Sequence, residues 1–103
     1  MMERLDKLKQ FLNENPEDSF LNHALALEYL KLNETVLART TFELLLNRDP
    51  GYVGSYYHLA KIYESTGDIK TAIEWYEKGI TVARKAGDNH AMNELQAAYD
   101  DLV

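Results

Sequence analysis

The chain has 103 residues, enough for one domain with its own core. Hydrophobic residues make up 46% of it and the formal net charge is −6, shared evenly between the two halves, which speaks against a disordered chain and against a cationic face for nucleic acid or an anionic membrane. The absence of cysteine removes disulfides and thiolate metal sites.

Residues 2–13 predict an amphipathic helix with Leu5, Leu8, Phe11 and Leu12 on one stripe. Its scattered charges distinguish it from a signal peptide, and no apolar run approaches membrane-spanning length, so a cytoplasmic protein is expected. Asn-Pro-Glu-Asp at 15–18 closes this helix and opens the next, with Pro16 suited to a first helical turn. Residues 18–32 are apolar around most of a helical circumference and need cover on several sides, with Leu27 or Leu30 left over for another contact. In residues 34–47, Ala38, Phe42, Leu45 and Leu46 face the core, and Val36, Leu37 and Leu44 lie further round.

Residues 55–80 predict two helices about Thr66-Gly67-Asp68. Tyr56, Leu59, Ala60 and Tyr63 share one face; Ile69, Ala72, Ile73, Tyr76 and Ile80 share the other. Gly67 can take the left-handed conformation that ends a helix, and Asp68 can cap the helix that follows. No proline stops that helix near Arg84, so it runs to Ala86. Gly87 then ends it and Asp88 caps a last helix over 89–102. There Ala91, Met92, Leu95, Ala98, Tyr99 and Leu102 form an apolar face, opposite Asn89, Asn93, Gln96 and Asp100.

The pattern repeats with a period of 34. Leu25 pairs with Leu59, Ala26 with Ala60, Tyr29 with Tyr63, Asn33 with Gly67, Ala38 with Ala72, Phe42 with Tyr76 and Leu46 with Ile80. Leu8, Leu12 and Pro16 precede Phe42, Leu46 and Pro50 by the same interval. A Leu-Ala-x-x-Tyr helix, a Gly or Asn turn, an Ala-x-x-x-aromatic helix and a closing Pro at this period resembles the tetratricopeptide repeat across nearly the whole chain. The resemblance implies an all-α fold, a right-handed α-α superhelix of helix hairpins in a single domain, 1–103. It would comprise a half repeat (1–18), two full repeats (19–52 and 53–86) and a C-terminal capping helix (87–103). Leu45 departs from the family, which has a small residue there; Gly79 obeys it.

The residues offer little chemistry. No two of His23, His58 and His90 have metal-ligand spacing and no HExxH occurs, so the histidines read as solvated or ligand-contacting and no metal is expected. Carboxylate pairs such as Glu74 and Glu77 face solvent. Ser55, Ser65 and Thr66 sit at helix starts or turns, and there is no GxSxG or phosphate loop. An enzyme and a cofactor are therefore not expected. Trp75, off the core face, is expected to shield the joint under the last helix.

The resemblance implies a concave groove lined by the first helix of each repeat. By register it collects Phe20, His23 and Leu27, then Tyr57, His58, Lys61 and Glu64, as candidates to bind a peptide or helix of a partner protein. Lys61 is the one firm cation among them, so the carboxylate-clamp specificity of chaperone-binding members does not carry over. A second expectation is a structural or assembly protein that homodimerises, or docks, through surplus apolar surface at 20–32 and at Val36, Leu37 and Leu44.

Overall fold

Aspartate side chains start three of the helices. Asp18 Oδ1 accepts from Leu21 N at 2.9 Å, Asp68 Oδ1 from Thr71 N at 3.2 Å and Asp88 Oδ1 from Ala91 N at 3.0 Å. Each satisfies one otherwise orphaned amide, worth about 1 kcal/mol. The computed structural model describes residues 3–103, and among them are six α-helices and no strand. In chain order these are α1 (Glu3–Glu14), α2 (Ser19–Lys31), α3 (Thr35–Arg48), α4 (Gly54–Ser65), α5 (Ile69–Ala86) and α6 (Asn89–Leu102). The predicted start of the first helix at Met2 lies outside the described residues. Pro16 and Glu17 form a turn ahead of the Asp18 cap and stand in no helix, so the proline serves the turn.

The turns follow the expected chemistry. Asn33 (φ 63°), Gly67 (φ 89°) and Gly87 (φ 71°) all take the left-handed conformation. At the two hairpin turns, Glu34 N donates to Tyr29 O at 2.8 Å and Asp68 N donates to Tyr63 O at 2.9 Å, equivalent bonds one repeat apart. The helices that follow differ in their caps: Asp68 reaches the first turn of α5, whereas Glu34 makes no side-chain cap bond to α3.

The chain divides into two compact units, 1–49 and 50–103. In the first, α2 packs against both α1 and α3. Its core holds Leu5, Leu8, Ala24, Ala26, Tyr29, Ala38, Phe42, Leu45 and Leu46. Three predicted apolar positions differ: Phe11 is exposed, and Leu12 and Leu25 are half-buried. Glu28 is buried on α2, where its carboxylate meets Arg4 Nε of α1 at 3.3 Å. The equivalent residue of the second repeat is the buried aliphatic Ile62.

In the second unit α5 packs against α4 and α6. Tyr56, Leu59, Ala60, Ile62, Ala72, Tyr76, Ile80, Ala83, Leu95 and Ala98 are buried, while Ile69 is exposed and Tyr63 half-buried. Trp75 lies against Tyr56 of α4, ring centroids 6.0 Å apart, with Lys78 Nζ 4.6 Å from its ring centre. Both closing prolines are tied to the next helix in the same way. Asn22 Nδ2 donates to Pro16 O at 3.1 Å, and the Tyr56 hydroxyl donates to Pro50 O at 2.6 Å.

Candidate functional site

Helix α4 gathers four of the predicted binding residues. Tyr57, Lys61 and Glu64 follow one another at helical spacing, with His58 beside the first. The Tyr57 ring meets His58 edge-on at 5.7 Å and lies 6.3 Å from the Tyr76 ring of α5. Lys61 Nζ stands 5.6 Å from the centre of the Tyr57 ring and 3.6 Å from Glu64 Oε1. The two contacts of Lys61 are solvent-accessible and each contributes about 1 kcal/mol or less.

Glu64 has a second tie. The Tyr76 hydroxyl donates to Glu64 Oε1 at 2.8 Å, so a fully buried aromatic ring ends on a carboxylate at the surface. Burial pushes the Tyr76 phenol well above its ordinary pKa, and the bond to Glu64 adds to the rise. His58 is half-buried. Burial holds its imidazole below its ordinary pKa, opposed by the carboxylate of Glu94 on α6. The face thus offers a flat aromatic surface, a neutral imidazole favoured by its surroundings, an ammonium and a carboxylate.

Helix α2 carries Phe20, His23 and Leu27 on successive turns. Phe20 is 68% exposed and Leu27 is 37% exposed. Leu30 is half-buried, so Leu27 is the leftover apolar side chain of the predicted pair. His23 is half-buried and meets Phe42 of α3 edge-on, ring centroids 5.6 Å apart. His23 and Tyr57 are equivalent by the repeat, as are Phe42 and Tyr76, so each repeat leans a ring of its first helix on the core aromatic of its second. That contact makes His23 and Tyr57 part of the packing as well as of the surface.

His90 is exposed at the start of α6. Among the described residues no three His, Cys, Asp or Glu side chains stand close enough to share a metal ion. No helix among them is long and apolar enough to cross a membrane. Sequence reasoning missed the Tyr76 hydroxyl, the Arg4–Glu28 pair and two hollows in the first unit. One hollow, of ~400 Å³, is lined by Leu5, Lys9, Tyr29, Leu32, Glu34 and Leu37. The other, of ~380 Å³, lies over Leu25, Thr41 and Leu44. The half-burial of Leu25 is explained by that second hollow.

The family model described as tetratricopeptide repeat matches residues 53–85. An uncharacterized protein of Haemophilus influenzae is 35% identical over 66 residues, which are 64% of this chain and 37% of that protein, so the chain spans little more than a third of that relative. The TPR2B domain of yeast Sti1, in a complex with pHsp70, superposes with a TM-score of 0.87 over 95% of this chain and 78% of that one; at 17% identity the likeness is one of fold. The crystal structure of a tetratricopeptide repeat domain protein from Salinibacter ruber is 44% identical, with a TM-score of 0.80 over 82% of this chain and 94% of that one. Identity at that level across nearly all of the Salinibacter chain, together with this chain's helix hairpins and 34-residue period, makes it a member of the tetratricopeptide repeat family.

Proposed function

We propose that this chain is a non-catalytic module that binds a peptide or a helix of a partner protein through the first helices of its repeats. Tetratricopeptide repeats are protein-interaction modules, and the yeast domain of the same fold forms a complex with pHsp70. The likeness bears on the kind of partner, a protein segment, and not on its identity. The observation that carries the reading is the exposure of apolar side chains on α2 where the core does not need them: Phe20 and Leu27 are both exposed. On α4, Tyr57, His58, Lys61 and Glu64 add an aromatic surface with polar groups at its edge. Exposed apolar anchors on one helix, and an aromatic surface edged by polar groups on another, are features that an extended segment or an amphipathic helix can use.

The test uses peptides selected from a displayed random library on the immobilised chain, then titrated calorimetrically. Phe20→Ala and Lys61→Ala remove exposed side chains, so both variants should melt as wild type does. Each should weaken a selected peptide by about 1–2 kcal/mol, roughly five- to thirty-fold in Kd. If both bind the peptide as tightly as wild type, these helices are not the binding face. Tyr57→Ala is the poorer probe, because the ring it removes also packs on Tyr76.

A further inference from the structure

Tyr29 is 9% exposed, yet among the described residues its hydroxyl has no hydrogen-bond partner. The buried tyrosines of the second unit differ: Tyr56 donates to Pro50 O at 2.6 Å and Tyr76 to Glu64 Oε1 at 2.8 Å. No polar side-chain atom is sealed away unpaired among the described residues, so the Tyr29 hydroxyl reaches open space. The open space that Tyr29 lines is the ~400 Å³ hollow of the first unit. Two charges stand on its wall, Lys9 from α1 and Glu34 just ahead of α3, and among the described residues neither has an ion-pair partner. Glu34 is also unused as a cap. One repeat later Asp68 accepts from Thr71 N at 3.2 Å, whereas Glu34 makes no side-chain bond to the first turn of α3. The amide of Leu37, equivalent to that of Thr71, therefore lacks the oxygen that Asp68 supplies, and Leu37 lines the hollow. The rest of the wall, Leu5, Leu32 and the Leu37 side chain, is apolar.

We propose that this hollow binds a free apolar α-amino acid as its zwitterion. The carboxylate goes to the Lys9 ammonium and the Tyr29 hydroxyl, at the amino end of α3, where an uncapped first turn and the helix dipole favour an anion. The α-ammonium goes to the Glu34 carboxylate, and the side chain lies on Leu5, Leu32 and Leu37. Charge decides against ligands with one charged end. A simple acid would meet Glu34 and a simple amine would meet Lys9, while a zwitterion answers both and, being neutral overall, is not repelled by a chain at −6. Size decides against larger ligands: ~400 Å³ stands at the small end of the range of about 300–1,000 Å³ for small-molecule sites. The hollow lies apart from the exposed side chains of α2 and α4 assigned to a protein segment, and binding there is independent of that reading.

The probes are L-leucine and L-phenylalanine, titrated into the whole chain and followed by NMR. Both should shift the resonances of Leu5, Leu32 and Leu37 saturably, with a Kd of about 1 mM or below. Tyr29→Phe removes only a hydroxyl that no protein group holds, so the variant should melt as wild type does and bind leucine about three- to tenfold more weakly. Lys9→Met and Glu34→Gln remove one charge each at exposed positions and keep most of the side chain; each should weaken leucine about fivefold or more with melting unchanged. Isocaproate lacks the ammonium of leucine, isoamylamine lacks its carboxylate and N-acetyl-leucine amide lacks both charges; each should bind about tenfold more weakly than leucine, or not at all. The proposal is overturned if neither amino acid gives a saturable shift at those residues up to about 20 mM, if Tyr29→Phe binds leucine as wild type does, or if isocaproate or isoamylamine binds as tightly as leucine. It is equally overturned if N-acetyl-leucine amide does so, which would make the hollow a seat for a leucine side chain within a partner protein.

Discussion

Tyr76 has its ring inside the second unit and its hydroxyl on Glu64 Oε1, 2.8 Å away. The two ends of this bond are unequal. Glu64 is partly exposed and can recruit water if the phenol is removed, whereas the buried phenol has no such recourse if the carboxylate goes. Tyr76→Phe should therefore cost about 0.5–1.5 kcal/mol and Glu64→Ala the larger amount of about 1–3 kcal/mol. Thermal melts of the two variants check the order; a Glu64→Ala protein as stable as wild type would show that the phenol finds another acceptor. Periodicity made Tyr76 legible as core and Glu64 as surface, each correctly. The bond between them was not legible, because spacing gives the direction of a side chain and says nothing of where a rotamer ends. Glu28 was hidden for a related reason. The repeat makes its position equivalent to buried Ile62, but a carboxylate is buried there only because Arg4, on a different helix, reaches it at 3.3 Å.

Helix starts and stops were the most legible features, because single residues decide them: the Asp caps need an acceptor oxygen, and Asn33, Gly67 and Gly87 need positive φ. Phe11 and Ile69 were misassigned to the core for the converse reason. A helical wheel gives every residue a direction, while cover by a neighbouring helix falls away in the end turns, where both of these stand. Leu45 and Gly79 show the limit of the repeat itself. They are equivalent in sequence, both buried, and demand opposite sizes. A Cβ on Gly79 would lie 2.7 Å from Tyr56 Cβ and 3.0 Å from Leu95 Cδ1. Leu95 can shift, but Tyr56 Cβ is fixed to the backbone of α4, so α4 and α5 would have to part. Gly79→Ala should lose about 1–3 kcal/mol to overpacking, offset by up to ~1 kcal/mol of helix propensity. Leu45→Ala should lose about 2–5 kcal/mol to a cavity. Calorimetric melts of both compare them directly; a more stable Gly79→Ala protein would mean that the helices have slack at their closest approach.

At the scale of the whole molecule the chain divides into two compact units between Asp49 and Pro50, three residues before the expected start of the second repeat at 53. The period also placed Phe20, His23 and Leu27 on one helix and Tyr57, His58, Lys61 and Glu64 on another. It could not say that His23 and Tyr57 would each rest on a core aromatic, since that depends on the approach of a second helix. Nor does it rank the α2 and α4 surfaces against the outer side of α3, because exposed apolar residues occur on both. Electrostatics separates them. Any contact between two copies is opposed by their mutual repulsion at −6, and salt screens that repulsion. Raising ionic strength from about 50 mM to about 500 mM, which shortens the Debye length from roughly 14 Å to roughly 4 Å, should therefore favour any contact between copies through the exposed apolar side chains Val36, Leu37 and Leu44. An acidic peptide held by Lys61 should be released over the same range, because its attraction to the ammonium is what the salt screens. Sedimentation and calorimetry across that range read the two responses independently. Self-association that weakens with salt would mean that ion pairs, and not the exposed apolar side chains of α3, hold the copies together.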